Sequence, residues 1–222
     1  MISIAVQAGG RSRRMGQDKA LIPVGGRRLI EHALEGLQGM SDDLFITSNH
    51  PQTLNDLNIR LVPDKYPGRG ALFGLSTALQ AARYDDVLVV ACDMPFIQPM
   101  FIEYMLSQSG QADVIVPELN GRFEPLLAIY HRNTCLPAIE KSLQDQKHRM
   151  ISFFPAVVVS AINTETIDRL DPGRLSFFNI NTPEDVIVAE RMLQEGRLDE
   201  KSQAQSTPSR TRPQKTERDH ES

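Results

Sequence analysis

Long apolar runs are absent. No stretch of the 222 residues stays apolar for the roughly 18 positions that a membrane-spanning helix requires, so the sequence excludes such a helix. Cysteine is scarce. The two present, Cys92 and Cys135, show no metal-ligand spacing, and they fit a reduced cytoplasm better than a disulfide framework. Positive charge is not in surplus: the formal net charge is −4 and the pI is about 5.8. General nucleic-acid binding wants a basic face, and that is missing. No basic-then-apolar leader precedes the first apolar run, so export is not expected and a cytoplasmic location is. There is no internal repeat, and no Ser-His-Asp or Cys-His set for nucleophilic catalysis stands out.

What is present is enough apolar material, 41% of residues, for a substantial core in one α/β domain. Ile2–Ala8 reads as a buried first strand. Leu29, Ile30, Ala33, Leu34 and Leu37 recur at helical spacing and predict a helix over Arg28–Leu37. Leu44–Thr47 and Arg60–Val62 read as short strands and Leu72–Ala82 as a helix. Val87–Ala91 is a continuous β-branched run, as in a strand covered on both faces. Gln98–Leu106 is helical. Asn120-Gly121, a strong hairpin dipeptide, lies between Val114–Val116 and Leu126–Tyr130 and predicts an antiparallel hairpin. Thr134–Leu143 reads as a helix, Val157–Val159 and Phe177–Ile180 as late strands. Thr182 caps a last helix, with Pro183, Glu184 and Asp185 in its first turn, running to about Gln194. The alternation implies a three-layer α/β/α, Rossmann-like fold with a mostly parallel sheet. The domain spans residues 1–198. Residues 199–222 are polar, cannot bury enough surface to offset ordering, and predict a disordered tail.

Gly9-Gly10-Arg11-Ser12-Arg13-Arg14-Met15-Gly16-Gln17-Asp18-Lys19 follows the first strand. Paired glycines let backbone N–H groups approach a ligand, and three arginines and a lysine on one loop suit a polyphosphate. The spacing is not that of a Walker A loop. Five residues separate Gly10 from Gly16, and Gln17-Asp18 intervenes before Lys19. Nor is it the Gly-x-Gly-x-x-Gly of dinucleotide folds. Downstream, Asp93 in Ala91-Cys92-Asp93-Met94-Pro95-Phe96 follows a strand, where open α/β sheets bind ligands. A carboxylate there can hold Mg²⁺ together with substrate phosphates. Cys92 reads as a small core residue. Asp64 begins a Gly- and Pro-rich loop, Asp64 to Leu75, suited to close approach of a base or ribose. Asn49 follows the Leu44–Thr47 strand, and His50 reads as a loop histidine.

These motifs, in this order over residues 2 to 194, resemble the molybdenum cofactor guanylyltransferases, part of a wider nucleotidyltransferase group with sugar-phosphate and cytidylyl members. The resemblance rests on Ala8-Gly9-Gly10 through Lys19, on the Asp64–Leu75 loop, and on Cys92-Asp93-Met94-Pro95-Phe96. It is extended by Glu124-Pro125-Leu126-Leu127-Ala128-Ile129-Tyr130 and Asn179-Ile180-Asn181-Thr182-Pro183-Glu184. The sequence departs from the pattern at Gln7, where leucine is usual, at Ala71, where proline is, and at Phe73, where a small residue is. Phe73 either narrows the nucleoside pocket or packs inward.

The resemblance implies a Mg²⁺-dependent enzyme. The terminal phosphate of molybdenum-bound molybdopterin attacks the α-phosphorus of GTP, and pyrophosphate leaves. It implies that Gln7, Ala8, Gly9 and Gly10 hold the nucleotide through their backbone, and that Arg14 and Lys19 stabilise the triphosphate. Asp93 binds the metal, Asn49 and Asp64 contact the nucleoside, and Asn179 and Asn181, alternating along a strand, face the pterin. Partners would be GTP, the pterin and other molybdenum-cofactor or recipient enzymes, with neither nucleic acid nor membrane. Gly9-Gly10, where cytidylyl members carry Ala-Gly, and Glu124-Pro125, where they carry Gly-His-Pro, favour guanine. The alternatives are a cytidylyltransferase or sugar-phosphate nucleotidyltransferase on the same fold, and a non-catalytic cofactor carrier.

Overall fold

The computed structural model describes residues 1–9 and 18–205, with side chains through residue 196. Gly10 and Arg14, and the tail from 206 onward, therefore lie outside the described residues. Ten strands and six α-helices are present among them. In chain order these are β1 (Ser3–Ala8), β2 (Pro23–Val24), β3 (Arg27–Arg28), α1 (Leu29–Glu35), β4 (Asp43–Ser48), β5 (Arg60–Pro63), α2 (Ala71–Ala81), β6 (Asp86–Ala91) and α3 (Pro99–Ser107). They continue with β7 (Val114–Leu119), β8 (Arg122–Phe123), β9 (Leu127–His131), α4 (Arg132–Gln144), β10 (Val159–Ile162), α5 (Thr164–Leu170) and α6 (Pro183–Gln205).

The main sheet has the order β10-β7-β9-β6-β1-β4-β5, with β8 paired to β7. All its neighbours are parallel except those of β9, which runs antiparallel to both β6 and β7, and the short β8. β1 is therefore an interior strand, and the chain leaves it first toward β4 and β5 and later toward β6. That reversal places a crevice at the carboxyl ends of β1 and β6, the usual ligand position in open α/β sheets.

Alternation along each strand divides the core. Ile4 and Val6 of β1, with Ile46, Leu88, Val90 and Ile129, meet residues of α1, α3 and α5 on one face. Ala5, Phe45, Val87, Val89, Val116 and Tyr130 meet α2 and α4 on the other. Strands covered on both sides have no polar face to show, which is why β6 reads as an unbroken apolar run. A third small cluster, with Ile22, Val24, Leu29, Ile180 and Ala189, packs the β2–β3 hairpin on α6.

The predicted hairpin is present and tighter than expected. Asn120 (φ 51°) and Gly121 (φ 74°) form a two-residue turn between Leu119 and Arg122, the conformation this dipeptide favours. β9 then pairs antiparallel with β7, Ile115 facing Ile129.

Three expectations need correction. The strand predicted at Val157–Val159 begins only at Val159. The Val157 amide closes a 3-10 turn on the Phe154 carbonyl, and the Val158 amide is taken by Asp113 Oδ2 at 2.8 Å. Phe177–Ile180 is not a strand. Leu175–Phe177 is a 3-10 turn, capped by the buried Asp171 carboxylate, which accepts the Leu175 and Ser176 amides at 2.8 Å each. The last helix continues to Gln205, past the Gln194 at which its apolar periodicity ends. Among the described residues, no helix is long and apolar enough to cross a membrane.

Candidate active site

Four strand ends converge on one cavity of 730 Å³, a size suited to a small-molecule ligand. Gly9 follows β1, Asn49 follows β4, Asp64 follows β5 and Asp93 follows β6. Gln7 and Lys19 also line it.

Lys19 and Asp93 are 74 positions apart in sequence, yet Lys19 Nζ lies 2.7 Å from Asp93 Oδ2, and their side chains are only 16% and 17% exposed. The lysine's position is set locally. Asp18 accepts the Ala20 amide at 3.1 Å and caps the short 3-10 turn Lys19–Leu21. Asp93 sits in the turn leaving β6, where the Cys92 amide bonds the Gln7 carbonyl at 3.0 Å and the Met94 amide bonds the Ala91 carbonyl. The same lysine donates to Asn181 Oδ1 at 2.6 Å. Asn181 arrives there because the Ile180 amide bonds the Asp93 carbonyl at 3.0 Å. Asp185 Oδ2 then accepts the Asn181 and Thr182 amides at 2.8 Å, while Thr182 Oγ1 takes the Asp185 amide at 3.3 Å. This is a reciprocal capping box at the start of α6.

At the other end, Asn49 Nδ2 donates to the Gly9 carbonyl, tying the end of β1 to the end of β4. A Cβ on Gly9 would lie 3.6 Å from Asn49 Nδ2 and 3.7 Å from Asp64 Oδ2, so a side chain there would stand among the polar atoms of the site. Asp64 Oδ1 accepts the Tyr66 amide at 3.0 Å and the Thr77 hydroxyl at 2.9 Å.

Buried polar atoms in folded proteins are nearly always paired, so the exceptions call for a cause. Among the described residues, the buried side-chain atoms without a hydrogen-bond partner are Gln7 Nε2, Asn49 Oδ1 and Asp93 Oδ1. All three belong to residues of this one cavity wall. One donor and two acceptors are thus desolvated and unpaired where a polar ligand would sit.

The MobA-like NTP transferase domain model matches residues 4–157. A probable molybdenum cofactor guanylyltransferase of Pelotomaculum thermopropionicum is 40% identical over 192 residues, covering 86% of this chain and 93% of the relative. Another, of Carboxydothermus hydrogenoformans, is 35% identical over 184 residues, covering 83% and 92%. The chain belongs to the molybdenum cofactor guanylyltransferase family. The crystal structure of molybdopterin-guanine dinucleotide biosynthesis protein A from Archaeoglobus fulgidus agrees in fold, with a TM-score of 0.76 at 26% identity, over 88% of this chain and all (100%) of that one. Family membership makes this a nucleotidyltransferase domain.

Of the residues singled out in the sequence, the structure gathers Gln7, Gly9, Lys19, Asn49, Asp64 and Asp93 around the cavity. Ala8 is buried at the end of β1, paired in register with Ser48. Asn181 touches the site through Lys19. Asn179 does not share its face: its Nδ2 is spent on the Phe177 carbonyl at 3.2 Å, since the segment is a turn and loop instead of a strand. Phe73 packs inward. It is 7% exposed, with its ring centre 5.2 Å from Tyr66 and 5.5 Å from His148. Burial pushes the Cys92 thiol well above its usual range, in keeping with a core role. Burial also raises the Glu124 carboxyl.

Sequence reasoning missed Thr77. It is a polar residue on the buried face of α2, 1% exposed, and its hydroxyl holds Asp64. A threonine inside an apolar helix stripe was the available signal.

The donor set fits Mg²⁺. Asp93 lines the cavity, and one of its carboxylate oxygens is buried with no partner among the described residues. The described residues hold no cluster of three or more His, Cys, Asp or Glu side chains for a metal. Mg²⁺ at phosphate-handling sites is commonly bound by one or two carboxylates with substrate phosphates and water supplying the rest.

Proposed function

We propose that this protein transfers GMP from GTP to the terminal phosphate of molybdenum-bound molybdopterin, with Mg²⁺ held by Asp93. The observation that carries the reading is the convergence of the three unpaired buried atoms of Gln7, Asn49 and Asp93 on one cavity, in a chain whose relatives are named for this activity.

A phosphate oxygen of the pterin forms the new P–O bond at the α-phosphorus of GTP. The bond to the β-phosphate oxygen breaks, and pyrophosphate leaves with its electron pair. The attacking group is already an anion, so no strong general base is needed. What the protein must supply is in-line positioning and neutralisation of charge on oxygen. Lys19, held between Asp93 and Asn181, supplies fixed positive charge next to the carboxylate. Arg14, from the same loop, is assigned to the triphosphate with it. The Gln7–Gly10 backbone, Asn49 and Asp64 orient the nucleoside, and Asn181 is assigned to the pterin side. Mg²⁺, when bound, would neutralise phosphate charge and align the displaced oxygens.

The test is pyrophosphate release from GTP, CTP, ATP and UTP, with and without Mg²⁺ and pterin-loaded acceptor. Release from GTP alone, dependent on both, is expected. Release from CTP or onto a sugar phosphate would keep the mechanism and overturn the specificity, whereas GTP binding without release would favour a carrier. Asp93→Ala should remove most turnover while leaving the melting curve in place. Near-normal turnover in the folded variant would refute the metal assignment.

A further inference from the structure

Gln7 stands where the family signature has leucine, and its side chain has an unusual setting. In the central sheet it is in register with Thr47 of β4 and Ala91 of β6. Side chains in register share a face, and this face is the one covered by α2, because Ala5, two residues earlier, belongs to the α2–α4 core. Gly74 of α2 lies against the carboxamide. A Cβ built there would be 3.4 Å from Gln7 Oε1 and 3.7 Å from Nε2. The small residues Gly74 and Ala91 thus leave room around an amide that also lines the cavity. Its Nε2 is buried and has no partner among the described residues. Leucine would fill the same volume with no polar group to satisfy. A buried donor left unpaired is costly unless a ligand completes it.

We infer that Gln7 is a specificity-determining residue of the nucleotide site, its side-chain N–H donating to the O6 carbonyl on the base edge of guanine. The inference rests on the guanine reading above and extends it from the backbone of the signature to a side chain. Adenine carries an amino donor at the corresponding position, so N–H would face N–H. 2-Aminopurine keeps the 2-amino group of guanine but lacks O6, and leaves the amide unpaired. Sites built to hydrogen-bond a ligand group reject analogues that lack it for this reason.

The experiment is a binding titration of the full chain with GTP, CTP, ATP and 2-aminopurine riboside triphosphate, repeated with Gln7→Leu. The expected result is a wild-type preference for GTP over the 2-aminopurine analogue. In Gln7→Leu that preference should shrink by about tenfold, through weaker GTP binding with the analogue unchanged. Gln7→Met, which keeps the unbranched length, should do the same and serves if the leucine variant does not fold. An unchanged GTP-to-analogue ratio in a folded variant, with GTP still preferred over CTP, overturns the role of Gln7 alone. A wild-type protein that prefers CTP, or shows no preference, overturns the reading of the site and this inference with it.

Discussion

Thr77→Val isolates the support beneath Asp64. The two side chains have nearly the same shape, so the change removes a hydroxyl without opening a cavity. That hydroxyl is buried. It donates to Asp64 Oδ1 at 2.9 Å and accepts the Lys65 amide at 3.3 Å, and the Phe73 carbonyl, at 3.2 Å, competes for its single proton. A hydrogen bond to a charged group contributes roughly 1.5–3 kcal/mol. Asp64 is only partly buried and keeps the Tyr66 amide, so the lower part of the range applies and the loss should be about 1–2 kcal/mol. For a domain of this size that is a fall in Tm of roughly 2–8 °C. With its hydroxyl partner gone, Asp64 loses one of its two anchors, and the nucleoside end of the cavity loosens. KM for GTP should then rise several-fold with kcat less affected. The assays are thermal unfolding and steady-state pyrophosphate release. Thr77→Ser, which restores the hydroxyl, should recover GTP affinity. Wild-type Tm and KM in Thr77→Val, or equal KM defects in the valine and serine variants, would refute the argument.

Gly36 ends α1 with an ordinary right-handed backbone (φ −66°), so alanine is conformationally allowed there. Its Cβ would nevertheless meet Ile97 Cβ at 2.7 Å and the Ile97 carbonyl oxygen at 2.9 Å. Gly36→Ala should cost about 1–3 kcal/mol by overpacking, and an unchanged urea midpoint would contradict this. Asp185 has its carboxyl held below the usual range, chiefly by the Asn181 amide, with the Thr182 amide adding to it against partial burial. A lowered native pKa means a contribution that is complete above the unfolded value of about 3.9 and lost as pH falls through the native one. Asp185→Ala should therefore destabilise by about 1 kcal/mol at pH 7, as loss of a helix cap does. That difference should shrink in urea titrations near pH 3, and a cost that stays flat with pH would rule out the charge-dependent cap.

The features legible in the sequence were those that act locally. Asn49, Asp64 and Asp93 each follow an apolar strand, and strand ends are where this sheet places ligands, so reading the strands located the residues. Asn120-Gly121 named its own turn, because few other residues adopt two consecutive positive φ values. Pairings at long range were not legible. Nothing near Lys19 indicates that its partners are Asp93 and Asn181, since the sheet order that unites them depends on non-local contacts. Phe177–Ile180 has strand composition, yet among the described residues no strand pairs with it. Phe177 instead packs on Phe101 and Phe178 on Phe96, with ring centres 5.5 and 5.8 Å apart, and the Phe177, Phe178 and Ile180 amides bond the Arg174, Leu175 and Asp93 carbonyls in place of a ladder. Tertiary packing overrode β-propensity, which reports mainly how a side chain fits its surroundings.

The family model ends at residue 157, but the site does not. Asn181 reaches Lys19 at 2.6 Å, and three separate constraints bring it there. The Ile180 amide is bonded to the Asp93 carbonyl. Ile180 is fully buried in the cluster that joins the β2–β3 hairpin to α6. The Asn181 amide is held by Asp185 across the start of that helix. Two of these hold Ile180, the third holds the Asn181 amide, and the same carboxylate takes the Thr182 amide beyond it, so the exposed asparagine is presented on a rigid support although it lies in a loop. A lysine side chain has many rotamers, and ordering one costs up to about 2 kcal/mol of entropy. Holding Lys19 from two directions, by a carboxylate just after β6 and a side-chain amide oxygen just before α6, removes that freedom before any ligand binds. Charge that is already positioned need not be reorganised during reaction, which is the condition under which it stabilises a transition state most effectively. On the proposed mechanism, the segment Ile180–Asp185 thus serves the site by turning a mobile cation into a fixed one.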